Sequence, residues 1–397
     1  MKHLYIDFTH SIPMKRAKVH GGGNFTKQML LDMEAYILRK SNIDTNIILI
    51  WPKDYRPQNE VEERIYNSKV FSVLQTDSAL DDINYQTRST LYLPLLGVKE
   101  FPLIKTLKSK NPGIRLILTV HGLRLLDLFP DNYDKAYLVT GRDKITYWGK
   151  ERALLGLRKS IYKKNVKTYL PYCDAISTDS NYSLSRIFEL SKVEKILSMT
   201  LDATVDEKTR VETPISSDYM LFVSGSRFEK NLARTLVAYK QYLEEDPGIQ
   251  KMIITGVNPD IAQAIISFTG IEDLVEREKV IFKGYVSLNE LQDLYKNAAY
   301  LVYTSKSEGY GLPALEAAYH GCLTLAAVGT SIPEVLGNGA YYVSPYSEES
   351  IAEGMHWMDR WENRKELLQR MNSMVDGIQD RIRISNDCLY RMLLEEE

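Results

Sequence analysis

The sequence predicts an α/β protein made of two doubly wound parallel-sheet domains. Three observations carry this. Short β-branched or aromatic runs recur along the chain, helical stretches separate them, and the length is 397 residues. A single hydrophobic core stops growing at roughly 250–300 residues, so two domains are the default. Strands buried on both faces of a parallel sheet read as continuous apolar runs, and strand–helix alternation argues for doubly wound units.

Six strands are expected in the first half: LYIDFTH (4–10), NIILIW (46–51), KVFSVL (69–74), TLYLPLL (90–96), IRLILTVHG (114–122) and AISTDS (175–180). Six more follow: MLFVSGS (220–226), MIITGV (252–257), VIFKGYV (280–286), YLVYTS (300–305), LTLAAV (323–328) and AYYVSP (340–345). Amphipathic stretches such as NLARTLVAYKQYLEE (231–245) and SLNELQDLYKNAA (287–299) fall between them. The polar stretch 202–218, which contains Pro214 and lacks periodicity, reads as a linker. The expected domains are therefore 1–201 and 219–378, with a terminal helix at 379–397 returning to the first.

With 44% apolar and 26% charged residues, the composition is that of an ordinary globular protein. No window approaches the ~18 apolar residues of a membrane span. The opening MKHLYIDFTH reads as a strand and not as a signal peptide. Cys173, Cys322 and Cys388 lie too far apart for a disulfide framework or a zinc pattern, which suits a reducing cytoplasm. Residues 1–200 carry a net charge of +10 and residues 201–397 a net of −12. Such an asymmetry suggests different partners for the two halves, or halves that merely attract. Within the basic half, 142–167 holds nine Lys/Arg against two Asp/Glu, with Tyr147, Trp148 and several leucines among them. A segment of that kind can lie on anionic lipid or form a solvated helix face. Nucleic acid is not an expected partner, because the basic character is confined to one domain.

In open α/β sheets ligands bind beyond the carboxyl ends of strands. The unusual residues of this chain fall there. In SEGYGLPALEAAYHG (307–321), Pro313 suits a first helical turn and Gly321 a helix stop. Gly309 and Gly311 let backbone approach a ligand, and the helix start at 311–314 is suited to phosphate. A carboxylate beside phosphate would repel it, so Glu308 and Glu316 read as acceptors for hydroxyl groups on either side of a diphosphate. Alone, Glu316 can equally complement the helix dipole and Glu308 can be a solvated loop residue. In VSGSRFEKNL (223–232), Arg227 and Lys230 can meet one anion, Asn231 can cap the helix, and a pair of surface cations is the alternative. HGGGNF (20–25) can bend over a ligand or be a flexible turn, and His121, ending an apolar strand, can bond a sugar hydroxyl or be structural. No Asp-x-Asp, His-Glu-x-x-His, Walker loop or Gly-x-Ser-x-Gly occurs, so we expect no metal site of those types.

Taken together, these stretches resemble the family 4 retaining glycosyltransferases of GT-B fold. EGYGLPALEA carries the Glu-x7-Glu spacing of that family in Glu308 and Glu316, and GSRFEKN is similar to its Gly-Arg-x-x-x-Lys-Asn stretch. Gly284-Tyr285-Val286 followed by SLNELQDLYKNAA, His121, and STDSNYS (177–183) also match. The likeness is dense over about 220–345 and thin before it, and the terminal helix lacks the usual Ser-Trp. The resemblance implies two Rossmann-like domains facing across a cleft, with a nucleotide-diphosphate sugar (UDP- or GDP-linked) as co-substrate and no cofactor. It implies that Arg227 and Lys230 neutralise the diphosphate, with Gly225 in the same loop. N–H groups of Gly309, Tyr310, Gly311 and Leu312 would bind the sugar or distal phosphate. Glu316 would take the ribose and Glu308 face the donor sugar. Thr255, Gly256, Tyr285 and Val286 would frame the base, and Gly22, Gly23 and His121 reach in from the first domain. The expected reaction is metal-independent hexosyl transfer, with retention, to a saccharide or lipid-linked acceptor in the cytoplasm, peripheral on the inner membrane face. A nucleotide-sugar epimerase, a sugar phosphorylase or a non-catalytic subunit shares the architecture.

Overall fold

The computed structural model describes residues 2–12, 21–40, 43–129, 131–139, 152–191, 193–201, 208–245 and 247–394. The chain divides into two compact units. The first comprises Met1–Leu126, Lys159–Thr204 and Asp380–Glu397, the second Asp127–Arg158 and Val205–Gln379.

The first unit holds β1 (Lys2–Asp7), β2 (Thr45–Pro52), β3 (Phe71–Thr76), β4 (Ser89–Leu93), β5 (Arg115–Val120), β6 (Ala175–Thr178) and β7 (Ile196–Ser198). They form one parallel sheet in the order β3-β2-β1-β4-β5-β6-β7. The second unit holds β8 (Tyr219–Phe222), β9 (Lys251–Thr255), β10 (Val280–Gly284), β11 (Tyr300–Tyr303), β12 (Leu323–Ala327) and β13 (Tyr341–Val343). These form a parallel sheet in the order β10-β9-β8-β11-β12-β13. Burial follows position: β6, β11 and β12 are buried at every residue, whereas edge strand β3 is buried only at Phe71. That is why the central strands were legible as apolar runs.

Helices of eight or more residues are numbered here: α1 (Gly21–Arg39), α2 (Pro102–Lys110), α3 (Arg152–Tyr169), α4 (Asn181–Ser191), α5 (Leu232–Leu243), α6 (Pro259–Thr269), α7 (Leu288–Asn297), α8 (Leu312–Tyr319), α9 (Glu348–Asp359) and α10 (Trp361–Leu394). Some of their starts are capped by side chains. Asn258 accepts from the Asp260 N–H at α6, and Ser287 from the Glu290 N–H at α7. The core of the first unit packs Leu91, Leu93, Leu116 and Leu118 against Ile104 and Leu107 of α2 and Val166 of α3.

The expected break at 378/379 falls inside α10, which runs unbroken. Its last turns are fixed to the first unit. The buried Tyr390 donates to the Met29 carbonyl at 3.2 Å, and Arg115 donates to that of Met392 at 2.7 Å. The block 1–201 is also interrupted, because Asp127–Arg158 clusters with the second unit. The reason is a set of buried ion pairs made by Asp131 and Asp134, described below.

Candidate active site

In the second sheet the strand order reverses between β8 and β11. The chain leaves these two neighbours by different loops, which opens a crevice at their carboxyl ends. Both charged motifs of the sequence are in those two loops.

After β8, the loop is packed tightly by glycine. A Cβ on Gly225 would stand 2.7 Å from Leu232 and 2.8 Å from Val257. Gly256, at φ +69°, sits against the Ser224 backbone and donates to the Gly284 carbonyl at 2.5 Å. This joins the ends of β9 and β10, so Thr255, Gly256, Tyr285 and Val286 share one rim. Thr255 is buried, and Tyr285 is exposed.

Lys230 is not a surface cation. It is buried, and its Nζ lies 2.5 Å from Oε1 of the equally buried Glu308, across the switch point. The Tyr303 hydroxyl is 3.5 Å from the same Nζ. Burial alone would raise the Glu308 carboxyl, but the Lys230 charge and hydrogen bonds from Lys230, Ser305 and Tyr303 hold it below its ordinary value. Glu308 is therefore an ionised, enclosed carboxylate and not a solvated loop residue. An ammonium carries three donors, so Lys230 is able to meet more than one group at once. Arg227 behaves differently. It is 47% exposed, with Glu229 3.2 Å away. Asn231 occupies the cap position of α5 at φ +68° without capping it. Its amide donates instead to the carbonyls of Thr304 (3.2 Å) and Pro345 (2.7 Å), tying this loop to the one after β11.

The loop after β11 enters α8 through Gly311, at φ +111°. Thr330 accepts from the Glu308 N–H at 3.1 Å, and the Ser331 hydroxyl reaches the carbonyls of Glu308 (3.1 Å) and Tyr310 (2.9 Å). The carbonyls of this loop are thus turned toward Ser331. The start of α8, with Pro313 in its first turn, carries the positive end of the helix dipole. Gly309, Tyr310 and Gly311 are buried and Leu312 is partly exposed. Glu316 lies on the second turn of α8, beyond the first turn where a carboxylate complements the helix dipole. The Tyr295 hydroxyl donates to it at 3.3 Å. Burial pushes its carboxyl up to about 7, against the opposing Tyr295 hydrogen bond and Lys230 charge.

Three expected contributors lie in the first unit. His121 follows β5, with Nε2 2.8 Å from the Pro94 carbonyl, Nδ1 3.9 Å from Asp179, and its ring edge-on to Phe25. Gly22 and Gly23 belong to the first turn of α1 and not to a loop ahead of it. His20 lies outside the described residues, as do 142–151 of the basic segment. From 152 onward that segment is α3, where Leu157 and Ile161 are more than half exposed beside exposed Arg158, Lys163, Lys164 and Lys167.

Sequence reasoning missed the residues that hold the site in place. Tyr303, Ser305, Thr330 and Ser331 carry no motif signal. A second network is equally silent in the sequence. Lys306, with 1% of its side chain exposed, pairs with Asp134 at 2.6 Å and Asp131 at 3.5 Å. Arg234 joins Asp131 (2.7 Å) and Glu348 (2.5 Å) and covers the Tyr133 ring. The Lys306 N–H also donates to the Glu229 carbonyl at 2.7 Å, so the loop carrying Glu308 is anchored two residues upstream.

Residues 205–374 match the family described as glycosyl transferases group 1. The chain is 27% identical over 222 residues to the O-antigen chain mannosyltransferase RfbU of Salmonella typhimurium, covering 55% of this chain and 60% of that one. It is 28% identical over 211 residues to the O-antigen chain mannosyltransferase B of Escherichia coli, covering 48% and 52%. The matched stretches thus span less than two thirds of either relative. Among solved structures, sucrose-phosphate synthase from Thermosynechococcus elongatus superposes with TM-score 0.63 at 14% identity over 99% of both chains. An E. coli trehalose-6-phosphate protein bound with UDP-2-fluoro glucose gives 0.62 at 11%, over 100% of this chain and 99% of the other. The fold is the two-domain GT-B architecture of these structures.

Proposed function

We propose that this chain is a glycosyltransferase. It moves a hexose-type sugar from a nucleotide-diphosphate donor to a saccharide or lipid-linked acceptor, with retention of configuration, in the assembly of a cell-surface polysaccharide. The observation that carries the reading is the Lys230–Glu308 pair beside the α8 start, at the switch point of the second sheet. The family match over 205–374 and the mannosyltransferase relatives support it. The relatives make GDP-mannose the first donor to try, with UDP-hexoses next.

The diphosphate lies against the α8 start, with Arg227 and Lys230 as counter-charges. Glu316 accepts the ribose hydroxyls, and the rim formed by Thr255, Gly256, Tyr285 and Val286 frames the base. As the bond from the sugar to the diphosphate breaks, negative charge grows on the leaving oxygen and positive charge on the sugar. Preorganised donors stabilise the first. The ionised Glu308 faces the second. No covalent nucleophile is assigned. His121 is read as a catalytic residue and Gly22 and Gly23 as donor-binding residues, and no cofactor beyond the co-substrate is invoked.

Arg227→Ala should cut turnover roughly 10²–10³-fold, as loss of one preorganised charge donor does. Its melting temperature should stay unchanged, because Arg227 is half exposed. Turnover near wild type would remove the diphosphate assignment. Incubation with a nucleotide-sugar panel separates transfer from epimerisation and from no reaction.

We further propose that α3 rests on the inner face of a membrane. No helix among the described residues is long and apolar enough to cross one, and α3 exposes Leu157 and Ile161 among basic side chains. The protein should float with vesicles rich in anionic lipid and sediment free of neutral ones. Sedimentation with both sinks the membrane contact.

A further inference from the structure

The first sheet has its own switch point, between β1 and β4. The residues gathered there are not among those assigned above. The β1 strand ends in Asp7, which is fully buried. Its Oδ1 accepts from the Thr9 N–H at 2.9 Å and the Thr9 hydroxyl at 2.6 Å, and its Oδ2 is 2.5 Å from Nδ1 of His10. A carboxylate on Nδ1 fixes a proton there and leaves Nε2 facing outward, an acceptor in the neutral ring and an N–H donor in the imidazolium. From the other side, the turn after β4 brings Glu100. One of its oxygens accepts from the Gly97 N–H at 2.9 Å, and the other lies 4.0 Å from His10 Nε2. His10 is 26% exposed and Glu100 51%.

A separation of 4.0 Å is too long for a hydrogen bond. A hydroxyl set between the two groups donates to the Glu100 carboxylate and accepts from Nε2–H of the protonated ring. This differs from His121, whose Nε2 is taken by the Pro94 carbonyl. It also parallels the second unit, where the loops after β8 and β11 bring a cation and a carboxylate together across a switch point. The His10 imidazole is lowered by burial, yet the hydrogen bond and charge of Asp7, with Glu100, leave it raised overall.

We propose that His10 and Glu100, oriented by Asp7 and Gly97, form a binding site for saccharide hydroxyls at the switch point of the first sheet. Its occupant is the sugar acceptor, an identification that rests on the glycosyltransferase reading. The site receives a neutral polyhydroxyl ligand, for which a carboxylate and an imidazole are matched acceptors and donors.

The test follows the His10 imidazole signals by NMR in the full chain, assigned by their loss in His10→Gln. Methyl glycosides of mannose, glucose, galactose, rhamnose and N-acetylglucosamine are added in turn. At least one should shift those signals, and Glu100→Gln should weaken its binding about 10-fold or more, the cost of losing a hydrogen bond to a charged group. Affinity for the nucleotide sugar, measured by calorimetry on the same samples, should not change. Glu100 is half exposed, so its variant folds. Signals unmoved by every glycoside, or equal binding in Glu100→Gln, overturn the site. If a glycoside binds there while no nucleotide sugar binds anywhere, the site stands and the glycosyltransferase reading falls.

Discussion

Lys230→Met should melt roughly 10 °C below wild type, and adding Glu308→Gln should recover most of that loss. Both partners of this pair are buried, so removing the ammonium leaves an ionised carboxylate enclosed without its counter-charge. Breaking such a pair costs about 3–5 kcal/mol, and a domain of this size loses about 2–4 °C per kcal/mol. Replacing both groups by neutral ones removes the stranded charge, which is why the double variant recovers. Acid should narrow the gap as well. A carboxyl held low in the folded state contributes stability above its ordinary range, and that contribution disappears as pH falls through the folded value. In Lys230→Met, Glu308 can take up a proton instead of standing alone. Turnover should not recover with stability: both variants should be slower by roughly 10²-fold or more. Calorimetric melts and initial rates on one preparation decide this. A single variant as stable as wild type, or a double variant as active, defeats the role given to the pair.

Glu316→Gln should separate stability from donor binding in the opposite sense. Burial pushes the wild-type carboxyl up to about 7, whereas in the unfolded chain it ionises near 4.5. The folded protein therefore holds a proton that the unfolded chain has released. Its stability falls as pH rises from 4.5 to about 7, by up to roughly 3 kcal/mol. Glutamine never ionises and still accepts from Tyr295, so at pH 8 the variant should melt several degrees above wild type. On the proposed reading, however, ribose hydroxyls donate to the ionised form. Wild-type affinity for a nucleotide sugar should rise about 10-fold from pH 6 to 8, as the ionised fraction grows. In the variant it should be weaker and flat across that window. Flat wild-type binding would end the ribose assignment.

The legible parts of this protein were those fixed by local composition. Twelve strands announced themselves because a strand inside a parallel sheet must be apolar on both faces, as in YLVY of β11. The strand that escaped notice, β7, is three half-buried residues at a sheet edge. The switch-point motifs were legible too, since glycine, proline and charge beside an apolar run have few other uses. Pairings were not. Lys230 and Glu308 are 78 residues apart, and only the adjacency of β8 and β11 brings them together. Glycine misled at α1, where the helix begins at Gly21. A first helical turn makes few demands on side chains. Asn231 has the right chemistry for a cap, but two distant carbonyls compete for it and prevail.

The course of the backbone has a practical consequence for anyone building chimeras. It passes from one unit to the other at 126/127, 158/159, 204/205 and 379/380, so the polar stretch holds only one of four crossings. A hybrid joined at that stretch would graft the second half without Asp131 and Asp134, and so leave Lys306 and Arg234 enclosed with two of their carboxylates missing. Exchanges that carry Asp127–Arg158 along with 205–379 keep these charges matched, and recombination between relatives should tolerate only such seams.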